Sequence, residues 1–342
     1  MKKTATLHSL LLLLAAFIWG MAFVSQTKGM DFMGPLTFNG VRCLIGALTL
    51  SVFLLCRRQV RLRSHIPAPS IDMKIIVKAG VLCGLALTVA STLQQIGLAY
   101  TTVGKAGFIT TLYIIFVPIA GIFFRKKVPG IVWVGALLAA VGMYLLCMTE
   151  GLKLSTGDLL VFGCAVAFTA HIMIVDHFSP WTDGVMVSAI QFTIAGSICT
   201  LGALILEHPT WGQLQGGLGA LLYAGVLSCG VAYTLQIVGQ KGVNPTVAAL
   251  IMSLESVIAT VSGWAAYRIG MLSTDQTLTG RQIAGCVVVF AAVVLVQLPV
   301  DLFCRKGRHR DKGTFLFQQK YKYIKTEKLQ ILTSNEGQKT CR

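Results

Sequence analysis

The sequence predicts an all-α membrane protein: ten transmembrane helices, arranged as two inverted five-helix repeats, with both termini inside. Three observations carry this. First, hydrophobic residues make up 55% of the 342 positions, charged residues 12%, and mean hydropathy is +0.73. Soluble domains carry roughly 25% charged residues. A soluble globular enzyme, a disordered chain and a collagen-like chain are thereby excluded. Second, the apolar residues fall into ten long runs. Third, the two halves of the chain align with each other. The net charge of +16 then concerns which side of a bilayer the basic residues occupy, not binding to nucleic acid.

A spanning helix needs roughly 20 predominantly apolar residues. The runs are Leu7 to Val24, Leu36 to Cys56, Ile75 to Ile96, Thr102 to Phe124, Ile131 to Met148, Asp158 to Val175, Asp183 to Leu206, Gly217 to Val238, Pro245 to Tyr267, and Gln282 to Val300. The first follows Lys2 and Lys3 and has a secretory look. It lacks a small-x-small cleavage site and nine more runs follow, so it is read as a helix.

With the N-terminus inside, 23 Lys and Arg residues fall on the inner side and four (Lys28, Lys153, Arg268, Arg281) on the outer. Inner segments of a membrane protein carry the excess of Lys and Arg. An odd number of spans would scatter these clusters onto both faces.

The internal repeat is the most informative feature. Trp19-Gly20 aligns with Phe168-Thr169, Pro35 to Arg42 with Gly184 to Gln191, and Leu93-Gln94 with Leu235-Gln236. The stretch from Gly107 aligns with that from Ala249, pairing Leu112 with Leu254 and Tyr113 with Glu255; Gly135 pairs with Gly285. The offset changes only in loops, where insertions are tolerated. The expected units are residues 1–150, 151–302 and a basic cytoplasmic tail, 303–342. Five helices per copy is an odd number, so the second copy enters the bilayer from the opposite side. Secondary transporters use this plan, with a substrate site at the midplane between the copies.

The ten cysteines include no CxxC pair and mostly lie inside apolar runs. They read as small packing residues, and neither a metal site nor a cofactor site is expected.

These residues carry a resemblance to a known family. "FIWGMAFV" in the first run, Arg42 and its repeat partner Gln191, "GKAGFITTLYIIFVPIAG" and "AALIMSLESVIATVSGW" resemble the drug/metabolite transporter superfamily, specifically its ten-helix EamA-type exporters. The resemblance covers roughly residues 7–300. Ser256 stands where the family has proline, and the family's Gly-Glu pairs at the ends of helices 4 and 9 are not kept. The resemblance implies export of small organic solutes (amino acids, metabolites or drugs) across the plasma (inner) membrane.

Polar residues inside spans mark the expected pathway, because a charge at mid-span costs roughly 2.5–3.5 kcal/mol. Glu255 lies about ten residues, or roughly 15 Å, from Pro245; it is the candidate for proton coupling, and otherwise a hydrogen-bonded bridge between helices. Arg42 and Lys105 are candidate substrate contacts or gate charges, or else snorkel to the surface. Trp19, Gln94, Tyr113, His171, Gln236 and Glu255 form the candidate substrate site; Gln95, Tyr100 and Tyr233 are weaker candidates. His171 reads as a proton relay or a hydrogen-bonded core histidine. Gly80 and Gly84 form a GxxxG pair that permits close helix contact. Pro118 should kink its helix. The tail, with eleven Lys and Arg after Phe303, is expected to meet anionic lipid headgroups. Two other classes are weaker. A nucleotide-sugar or sugar-phosphate exchanger would want several basic residues in its cavity. An intramembrane enzyme would want a motif such as HExxH or GxSG, and neither occurs.

Overall fold

Side chains flanking the apolar runs fix where several helices begin. Asp72 accepts the backbone N–H of Lys74, Asp183 accepts those of Val185 and Met186, and Asn244, just before Pro245, accepts that of Thr246. Ser155 and Asp158 form a reciprocal capping box. Each satisfies donors that a helix start leaves free.

The computed structural model describes residues 2–64, 72–101, 103–124, 128, 130–147, 155–241, 243–272 and 277–297. All regular structure among them is helical: α1 (Lys2–Met30), α2 (Pro35–Arg63), α3 (Met73–Leu98), α4 (Val103–Thr111 and Tyr113–Phe123), α5 (Gly130–Cys147), α6 (Thr156–Phe178), α7 (Gly184–Leu206), α8 (Leu218–Gln240), α9 (Pro245–Met252 and Leu254–Arg268) and α10 (Gly280–Gln297), with short helical turns at Ser179–Trp181 and Trp211–Gly216. Eight of these helices are long and apolar enough to cross a membrane. The apolar stretches of α5 and α10, Gly130–Gly142 and Gly280–Leu295, are shorter. The tail lies outside the described residues.

The bundle has an apolar core, yet it also exposes large apolar side chains and buries polar ones. Leu48, Phe53, Leu137, Leu201, Ile205 and Val287 are exposed on the bundle, while Asn39, Gln95, His171, Gln191 and Glu255 are buried. This distribution suits a solvent of lipid, in which polar groups turn inward.

Helix neighbours follow the repeat. α2 packs along α7, and α5 along α10, each helix with its own repeat partner. α3 packs on α6 as α8 packs on α1, α3 on α7 as α8 on α2, and α1 on α9 as α6 on α4. The expected GxxxG contact forms within the chain. A Cβ on Gly80 would stand 2.6 Å from Ile190 Cβ, and one on Gly84 3.1 Å from Gln191 Cα. Only glycine lets α3 approach α7 this closely.

The ends of the α2–α7 pair are tied. Glu207, just past α7, accepts the backbone N–H groups of Leu36 and Thr37 at 2.8 and 2.7 Å and the Thr37 hydroxyl at 2.6 Å. It caps a helix whose own N-cap, Gly34, has no side chain to do so. At the opposite end Arg57 pairs with Asp183 at 2.8 Å. These two ties make α2 and α7 antiparallel.

α4 and α9 break at closely matching places, Leu112 and Ser253. Pro118, where a kink is expected, lies inside the second segment of α4, and the interruption falls six residues before it. Thr111 donates its hydroxyl to the carbonyls of Gly107 and Phe108, and Ser253 donates to Leu250. Tightened i to i+3 bonds follow, Ile115 N to Leu112 O and Ser256 N to Ser253 O. Hydroxyls competing for helix carbonyls can break a helix without proline, so α9 breaks although Ser256 stands in the proline's place. α8 contains a π-helical stretch, Tyr223–Ala232, which run length does not reveal.

Candidate functional site

The broken helices meet at a central cavity. α1, α2, α3, α4, α6, α8 and α9 all contribute to its wall. The centre of a water-sized sphere can occupy about 40 Å³ of it, room for a few waters and not for a solute of ten or more heavy atoms.

Five repeat pairs line this cavity: Trp19 with Phe168, Phe23 with Ile172, Gln94 with Gln236, Thr110 with Met252, and Tyr113 with Glu255. Both members of each pair face the same space. The last pair is in direct contact, the Tyr113 hydroxyl donating to Glu255 Oε1 at 3.0 Å. Chemistry separates the copies at these positions. Tyrosine is matched by a carboxylate, and Arg42, also on the wall, is matched by Gln191 behind it.

Arg42 is buried. Its Nε and Nη2 donate to Asn39 Oδ1 at 2.9 and 2.7 Å, and its guanidinium lies 5.7 Å from the Phe38 ring. Asn39 is itself held, donating to Ser91 at 2.9 Å. Nη1 of Arg42 makes no hydrogen bond among the described residues. Arg42 and Glu255 line one cavity without pairing with each other.

The wall also holds polar atoms without protein partners: Trp19 Nε1, Gln26 Oε1 and Gln236 Oε1. Buried polar atoms are ordinarily hydrogen-bonded, so the residues of the wall hold one donor and two acceptors unanswered within the described residues. Gln94 is engaged, donating to Thr110 at 3.2 Å. Aromatic edges complete the lining, with Trp19 and Tyr233 at 4.7 Å between ring centroids. Among the described residues no group of three His, Cys, Asp or Glu side chains is placed to hold a metal ion.

Six expected residues therefore converge: Trp19, Arg42, Gln94, Tyr113, Gln236 and Glu255, with Tyr233 beside them. His171 does not line the cavity. It sits behind the wall, Nε2 at 3.0 Å from Gln191 Oε1 and its ring 5.9 Å from that of Tyr233. Gln95 is buried facing the Gln26 carbonyl, and Tyr100 is exposed at a helix end. The side chain of Lys105 lies outside the described residues. Polarity and depth, taken residue by residue, miss Phe23, Gln26, Thr110, Phe168, Ile172, Ser228 and Met252. The repeat register points to Phe168, as the partner of Trp19, and ties Phe23 to Ile172 and Thr110 to Met252.

The model of the EamA-like transporter family matches residues 6–148 and again residues 155–298. The chain belongs to the EamA-like transporter family. An uncharacterized transporter of Archaeoglobus fulgidus is 30% identical over 299 residues, covering 84% of this chain and 85% of that one. The uncharacterized transporter YwfM of Bacillus subtilis is 25% identical over 259 residues, covering 75% and 84%. A solved crystal structure superposes with a TM-score of 0.66 at 15% identity, covering 84% of this chain and 96% of that one; at that identity the likeness is one of fold. This EamA-family transporter is a multi-pass membrane protein, and both family matches contribute residues to the central cavity.

Proposed function

We propose that the protein is a secondary-active transporter that exports small organic solutes by alternating access, with zwitterions such as amino acids as the best-fitting class. In this reading, residues 1–150 and 151–302 are inverted copies. The solute binds between them, and their relative rocking opens the cavity to either side. The carrying observation is a cavity that holds one buried guanidinium, Arg42, and one buried carboxyl, Glu255, unpaired with each other. Arg42 meets a solute carboxylate through its free Nη1. Glu255 meets a cationic group, or carries the coupled proton when that site is empty. Trp19, Tyr113 and Tyr233 pack the solute's apolar part. A solute enters as the helices around the cavity separate.

Both termini are cytoplasmic and the membrane is the plasma (inner) membrane in this reading, following the distribution of basic residues. The tail rests on anionic headgroups. A sugar-phosphate exchanger is disfavoured because Arg42 alone supplies positive charge to the described cavity wall.

The test is counterflow in proteoliposomes with labelled amino acids, their decarboxylated amines and their deaminated acids. Zwitterions are expected to exchange, and Arg42→Gln and Glu255→Gln each to abolish exchange. Equal exchange of amine, acid and zwitterion would overturn the substrate assignment. A Glu255→Gln protein that transports with unchanged pH dependence would remove Glu255 as the proton carrier.

A further inference from the structure

α2 is 29 residues long, about 43 Å at 1.5 Å per residue, against a hydrocarbon core of about 30 Å. Its last turns therefore stand beyond the hydrocarbon. With Pro35 set at one hydrocarbon edge and the helix along the bilayer normal, Leu54 and Leu55 lie about 29–30 Å in, at the other edge, and Arg58 and Arg61 about 35 and 39 Å in, at headgroup depth. These residues share a cleft of about 580 Å³ between the end of α2 and Met186 at the start of α7.

The charges in this cleft are not equivalent. Arg57 is committed to Asp183 at 2.8 Å, and the pair holds the cleft's two walls together. Arg58 and Arg61 have no carboxylate partner among the described residues. Spaced three apart, they stand on one face of the helix. The cleft thus carries two uncommitted guanidiniums directly above an apolar wall of Leu54, Leu55 and Met186.

We propose that this cleft is a binding site for one anionic phospholipid, its phosphate forked by Arg58 and Arg61 and the start of an acyl chain lying on Leu54, Leu55 and Met186. Guanidinium is the group best matched to phosphate, offering paired N–H donors in a fixed plane. The Arg57–Asp183 pair shapes the cleft without consuming the two charges that recognise the ligand. A free phosphate would use the arginines alone and gain nothing from the apolar wall. A zwitterionic lipid brings a cation against two cations.

The full-length protein, purified in a neutral detergent, is titrated with phosphatidylglycerol or phosphatidylcholine and read by native mass spectrometry. One phosphatidylglycerol is expected to be retained over phosphatidylcholine. Arg58→Gln/Arg61→Gln is expected to lower that preference on the order of tenfold or more, with the fold intact by thermal unfolding. Inorganic phosphate and glycerol phosphate at the same concentration should not displace the lipid. A tail variant, Lys306→Gln/Arg308→Gln/Arg310→Gln, should keep it. A photoactivatable phosphatidylglycerol should mark residues 51–62. Displacement by inorganic phosphate, or loss in the tail variant with retention in the cleft variant, would overturn the proposal.

Discussion

Tyr113 donates its hydroxyl to Glu255 at 3.0 Å, and these two residues occupy the same register of the two repeats. Across this contact one copy supplies a donor and the other an acceptor. Removing the donor leaves a buried carboxyl short of one hydrogen bond, at about 1–3 kcal/mol. Tyr113→Phe is expected to fold, to lower the thermal midpoint in detergent by a few degrees, and to alter solute affinity. In a double-mutant cycle with Glu255→Gln the two changes should be non-additive. Additive midpoints would mean that the bond contributes nothing.

Arg42 is oriented by two donations into one acceptor, Asn39 Oδ1. A lysine keeps the charge but cannot reproduce a planar fork. Arg42→Lys should therefore lose most of the counterflow, roughly tenfold or more, since hydrogen bonds involving a charged group contribute about 1.5–3 kcal/mol. Asn39→Ala should show the same direction without touching solute. Wild-type exchange in Arg42→Lys would show that only the charge matters.

Glu207 caps α2 from some 170 positions away. Carboxylates at helix N-termini stabilise by about 0.3–1 kcal/mol, more when partly buried. Glu207→Gln is expected to lower the unfolding midpoint while leaving transport per folded molecule unchanged, as read by circular dichroism melting and counterflow on the same preparation. An unchanged midpoint would reduce the cap to a passive contact.

A Cβ on Gly84 would stand 3.0 Å from Ile194 Cβ and 3.1 Å from Gln191 Cα, a tight fit that leaves no space for a long side chain. Gly84→Leu should abolish the folded monomer on size-exclusion chromatography, because α3 and α7 must separate to admit the side chain. Gly84→Ala should be milder. A well-folded Gly84→Leu protein would show that the helices slide freely.

The ties at the two ends of α2 and α7 place residues 30 and 180 at opposite ends of the bundle. Cysteines introduced at Met30 and Pro180 should be labelled from opposite sides of a sealed vesicle by an impermeant maleimide. Labelling of both from one side would collapse the inverted-repeat reading.

Several residues of the cavity wall are legible in the sequence alone. Glu255, Arg42, Gln94 and Gln236 stand out because a polar side chain inside an apolar run needs a reason. Trp19 and Tyr113 stand out by depth. Phe168, Ile172 and Met252 carry no such signal, since an apolar side chain facing a cavity and one facing lipid read alike. Gln26 escapes because the first apolar run ends at Val24, whereas α1 continues to Met30. His171 stands out by the same polarity as Glu255 and Arg42, but its place behind the wall is not legible: its Nε2 meets Gln191 on another helix, while its Nδ1 is buried without a partner among the described residues. The break in α9 is also illegible, because it rests on which carbonyl the Ser253 hydroxyl reaches.

The sequence by itself determined the apolar runs, the duplication and which polar residues lie within spans. These are local quantities, set by run length and by the cost of placing a charge in hydrocarbon. Only the tertiary structure decided which face each helix turns inward, that Arg42 and Glu255 share a cavity without pairing, and that Glu207 closes α2. Those follow from the rotation and depth of packed helices, which depend on glycine contacts and hydrogen bonds between residues more than a hundred positions apart.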